Sequence, residues 1–94
     1  MAVSGEVRPL RADEVMHFPA GDSTCLHHLD KGEYYILNAV AAFIWGQCDG
    51  ILTIDDIVAK VVSAFEVDPT VAQADAIEWI ESMLSSSCLR LAGG

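Results

Sequence analysis

Basic side chains are scarce in this chain: five lysines and arginines stand against fourteen acidic residues, for a formal net charge of −9 over 94 residues. A surface this acidic repels phosphate backbones and anionic bilayers, which argues against nucleic acid and membrane as partners. No apolar run approaches the roughly 20 residues of a membrane span, and the N-terminus lacks the apolar core of a secretory signal. The expected location is the cytoplasm. Cysteine is equally sparse: Cys25, Cys48 and Cys88 are odd in number, widely spaced and contain no CxxC pair. That pattern excludes a disulfide framework and reads as small buried hydrophobes in a reducing compartment. The chain also lacks a glycine-rich phosphate loop and a serine elbow, so two large enzyme classes lose their signature.

What remains is apolar. Hydrophobic residues make up 52% of the sequence, enough for one core without metal or disulfide staples. Residues 1–12 show no clear period and read as a flexible N-terminal arm. Three short runs follow, Glu14–Phe18, Thr24–Leu29 and Glu33–Leu37, separated by Pro19-Ala20-Gly21-Asp22 and Asp30-Lys31-Gly32. Short turns between successive strands imply an antiparallel meander. The period then changes to that of a helix. Asn38 caps Ala39–Cys48, Asp49-Gly50 stops it, and Thr53 with Asp56 starts the next helix to Phe65 in a capping-box pattern. Asp68-Pro69 opens a third helix reaching about Ser86. Leu89–Leu91 reads as a short extended segment and 92–94 as a disordered tail. The division is thus an arm, one domain over 13–91 and a tail, with an α+β fold.

Placed on a helical wheel, the third helix carries Ile77, Ile80, Leu84 and Cys88 on one side, with Ala72, Ala76, Trp79 and Met83 beside them. Asp75, Glu78, Glu81, Ser82 and Ser85 occupy the opposite half. The apolar arc is about 180° wide, where packing on one side needs only about 100°. Either more core covers the extra width, or it forms a groove floored by Trp79 and Met83, residue types common at binding surfaces. The strand Glu33, Tyr34, Tyr35, Ile36, Leu37 adds to this, since it carries neither proline nor lysine and only Glu33 is charged. As an edge it would accept an extended peptide by strand addition; as an inner strand it would not.

Other sites are weaker. Cys25, His27 and His28, with His17 nearby, lack a fourth ligand at workable spacing and an orienting acid, so neither zinc nor a cysteine nucleophile is expected. Asp55-Asp56 suits the positive end of a helix better than a carboxylate pair. No cofactor and no catalytic residue are assigned.

At Tyr35-Ile36-Leu37-Asn38, Ala42, Ile44-Trp45 and Asp49-Gly50, and on through Thr53, Ile57 and Phe65-Glu66-Val67-Asp68 to Leu84, the chain resembles the PqqD family, the recognition elements for ribosomally made precursor peptides. The resemblance covers about Val15 to Leu91. It implies a winged helix-turn-helix-like fold, three strands followed by three helices, and a non-catalytic role. Family members bind the leader of a precursor peptide antiparallel to the third strand and present it to a modifying enzyme, often a radical SAM protein. The matching peptide-binding residues are Glu33, Tyr34, Tyr35, Ile36, Leu37, Ala72, Ala76, Trp79, Ile80 and Met83. One departure is that Ser87-Cys88-Leu89 stands where a glycine usually precedes the last hydrophobic pair. Two further functions compete. A structural subunit or homodimer would bury Trp79 and Met83 against a second copy. A winged-helix DNA-binding regulator would need basic residues that the second helix supplies only as Lys60 and the third lacks.

Overall fold

A computed structural model describes residues 3–92. In chain order it contains β1 (Pro9–Arg11), β2 (Val15–Ala20), β3 (Ser23–His28), β4 (Glu33–Leu37), α1 (Ala39–Gln47), α2 (Ile54–Phe65), α3 (Pro69–Ser85) and β5 (Leu89–Leu91). The α+β class, the antiparallel sheet β2-β3-β4 and the three helices match the sequence expectation. β2 and β3 are joined by Gly21-Asp22, with Gly21 at φ +65°. Glycine at the first central position is what a two-residue II′ turn requires, because that turn matches the twist of the flanking strands. β2 runs on through Pro19, which an edge strand tolerates.

The segment 1–12 was expected to be a loose arm. Its described part instead folds onto the domain. β1 pairs antiparallel with β5, Pro9 opposite Leu91 and Arg11 opposite Leu89. The carbonyls of Gly5 and Val7 accept from Asp55 and Ile54 at 2.9 and 3.0 Å, satisfying first-turn amides of α2 that have no partner within the helix. A Cβ at Gly5 would meet the Asp55 carboxylate, which would have to swing aside to admit it. Met1 and Ala2 lie outside the described residues. So do Gly93 and Gly94 of the expected tail, while Ala92 donates to the Arg8 carbonyl at 2.8 Å.

The helices begin where their caps demand. Asn38 accepts from Ala41, and Asp68 from Thr70 and Val71 ahead of Pro69. Thr53 and Asp56 form both bonds of a capping box, each at 3.1 Å, so aspartate replaces glutamate without loss of the reciprocal pair. Ser87 adopts φ 64°, the left-handed conformation that glycine takes without a Cβ penalty. Serine there keeps the backbone path that the expected glycine would have supplied.

The core lies between the sheet's inner face and the helices. Leu26, Ile54, Ile57 and Ile80 are wholly buried at its centre. Cys25, Cys48 and Cys88 are all free and buried. Burial pushes the Cys48 thiol up to about 12, which the neighbouring Arg11 only partly opposes. Because all three are buried, these thiols are expected to resist an aromatic disulfide reagent at pH 7 and to react fully in denaturant. Rapid native modification would mean that the core opens readily.

Candidate functional site

In the order β2-β3-β4 the third expected strand, β4, is an edge. Its pleat sends Tyr35 and Leu37 inward and Tyr34 and Ile36 outward. Leu37 is buried in the core. Tyr35 is half-buried, beside Ser86 and Cys88 at the end of α3, and its hydroxyl donates to Glu33 Oε1 at 2.8 Å. That bond to a carboxylate, followed by desolvation, raises the tyrosine pKa above its ordinary value. The edge strands differ: β2 carries Pro19, whereas β4 has no proline and no lysine. Of the two edges of this sheet, β4 therefore presents the unguarded row of backbone donors and acceptors.

β4 leads into Asn38, and Asn38 stands at the mouth of a groove of about 520 Å³. One wall is α1, through Val40, Ala41 and Ile44; the other is α3, through Val71, Ala76 and Trp79. Val61 of α2 and Val67 of the connecting loop also line it. Of the residues expected to bind, Ala72, Ala76 and Trp79 line this groove, while Glu33–Leu37 form the strand leading to it. Ile80 and Met83, 0% and 6% exposed, belong to the core. The buried stripe of α3 is Ala72, Ala76, Ile80 and Met83, so the helix is rotated from the expected arrangement. Trp79, half-buried on its flank, is the groove's one aromatic.

The α1 wall escaped sequence reasoning because α1 is apolar on every side, and a helix without a polar face gives no orientation. Asp75, Glu78 and Ser82 also line the groove, although the wheel had placed them on the solvated back of α3.

The few cations are largely committed elsewhere. Arg8 donates to the Ile51 carbonyl, Arg11 to those of Trp45 and Gly46, and Lys31 to that of Ser86. Arg90 pairs with Glu14. This arrangement offers little to a nucleic acid backbone.

The Cys25/His27/His28 run is divided by the pleat. His28 is buried on the inner face, its Nδ1 accepting from the Lys31 amide at 3.3 Å. His27 lies on the other face, stacked on Tyr34 with ring centroids 4.2 Å apart. His17 accepts through Nδ1 from the buried Trp45 indole at 3.2 Å. Each histidine is thus engaged in packing or a hydrogen bond. The outward face of the sheet also shows Met16, Phe18, Tyr34 and Ile36, at 55, 40, 61 and 66% exposure. An antiparallel sheet with one solvated face ordinarily puts polar residues there, so this is a second apolar surface bordering β4. Among the described residues no helix is long and apolar enough to cross a membrane.

The family model described as Coenzyme PQQ synthesis protein D (PqqD) matches residues 24–89. The solved structure of TbiB1 in complex with the TbiA(beta) leader peptide is 23% identical, with a TM-score of 0.77 over 86% of this chain and 94% of that one. A lasso peptide synthetase B1 complexed with the leader peptide is 22% identical, with a TM-score of 0.78 over 88% of this chain and 98% of that one. At this identity the two structures establish a shared fold. No curated protein matches the chain.

Proposed function

Since the chain belongs to the PqqD family, we propose that it is a non-catalytic adaptor that binds the leader segment of a ribosomally synthesised precursor peptide and presents it to a modifying enzyme, a radical SAM protein or another maturase. The observation that carries this reading is the free edge of β4, opening at Asn38 on an apolar groove. A peptide added antiparallel to Glu33–Leu37 would complete the sheet's hydrogen bonds. Its alternate side chains would turn toward Trp79, Ala72 and Ala76. Both similar structures hold a leader peptide, which supports the same class of ligand here. The outward Met16, Phe18, Tyr34 and Ile36 give the adaptor a second surface for the enzyme, on the other side of the same strand. A second copy seated against Trp79 is the competing reading, and it predicts a concentration-dependent dimer that hides that side chain.

The test is N-methylation of the peptide backbone. Synthetic leaders from precursor genes neighbouring this one are screened for binding, and the best binder is methylated one amide at a time. Strand addition predicts losses of about tenfold at alternate positions and little change between them, since each methyl removes about one hydrogen bond. Uniform losses, or none, would count against pairing along β4.

A further inference from the structure

We propose that the segment seated in the groove is cationic, placing a lysine or arginine against Asp75 and Glu78 beside the apolar side chain received by Trp79. This deepens the peptide-binding reading and rests on it. The groove is apolar along its floor, where Val61, Ala72 and Ala76 meet, but its α3 rim is charged with one sign. Asp75 lies one helical turn before Trp79, and Glu78 immediately precedes it. Both residues line the cavity, and neither carboxylate has a hydrogen bond or ion pair to another described residue. α3 contains no lysine or arginine from Pro69 to Ser85, so no i,i+4 partner neutralises them. None of the lining residues is basic. Arg8, Arg11, Lys31 and Arg90 are tied to other groups, and Lys60, the fifth cation, is not among the lining residues.

An anionic peptide entering this groove would bring like charges together over an apolar wall, and a neutral one would leave both exposed acids without a counter-charge. A cation with an aliphatic stem fits both features at once. Its methylenes can lie along Val71 and Trp79 while its head reaches the carboxylates. Charge of this kind acts chiefly on partner choice and encounter rate, and salt screens it over about 8 Å at physiological ionic strength.

The experiment uses the full chain and the leader peptide whose N-methylation pattern shows pairing along β4. Lysine or arginine in that peptide is replaced singly by alanine and by glutamate, and binding is measured in low and physiological salt. One replacement should weaken binding about threefold to tenfold as alanine, and more as glutamate. In the Asp75→Asn/Glu78→Gln variant the same replacement should matter less than twofold, and the salt dependence should flatten. Glu6→Gln/Asp13→Asn lowers the net charge equally outside the groove and should behave as the parent protein does. If a paired leader contains no basic residue, or binds the neutralised variant within twofold of the parent, the cationic assignment falls and the strand-addition reading stands. If no leader gives the alternating pattern, both fall together.

Discussion

Ile80→Ala is expected to cost about 2–5 kcal/mol of stability, because it removes a fully buried branched side chain and leaves a cavity the surrounding core only partly fills. A domain of this size is stable by about 5–15 kcal/mol in all, so the change consumes a large share of the total. Urea unfolding should show a lower midpoint with an unchanged slope, and the protein that remains folded should bind peptide with nearly parental affinity. Ile80 stands next to Trp79 in sequence, yet the two point to different places. A stable Ile80→Ala protein that had lost peptide binding would return Ile80 to the groove and overturn the rotation of α3 described above.

Trp79→Ala should do the reverse. Losing a half-buried aromatic anchor typically costs about 2 kcal/mol or more in binding, a tenfold or greater loss of affinity. Trp79 also packs against the core's edge, so some stability is lost, but less than in Ile80→Ala. Far-UV circular dichroism should show the same helix and sheet content as the parent. If Trp79→Ala unfolds the domain, the ring is a core element and Val40, Ala41 and Val71 alone do not make a binding groove. Measured together, the two variants separate one face of α3 from the next by a single residue step of about 100°.

Much of this architecture was legible in order of sequence because its signals are local. Gly21-Asp22 closes a hairpin, Thr53 and Asp56 open a helix, and Asp68-Pro69 opens another, each within a few residues. β1 and β5 were not legible as a pair for the opposite reason. Each has only three residues, and the partner that stabilises it lies at the other end of the chain. The groove was half legible. The wide apolar arc of α3 showed that something covers it, and the unguarded strand showed where a peptide could add. The arc could not distinguish Met83, which fills the core, from Trp79, which does not, since both lie on the same flank of the wheel. Nor could it reveal that Asp75 and Glu78 face a cavity, because acids opposite an apolar stripe look the same whether they meet solvent or a groove.

The pairing of Pro9–Arg11 with Leu89–Leu91 has a consequence for how this unit is carried. The two strands lie one strand spacing apart, roughly 5 Å, and residues 3–8 run on past β1 to bond with α2 and Glu81. A pull on the chain beyond Leu91 would strip β5 first and leave β1 without its partner, so a connection on that side needs slack.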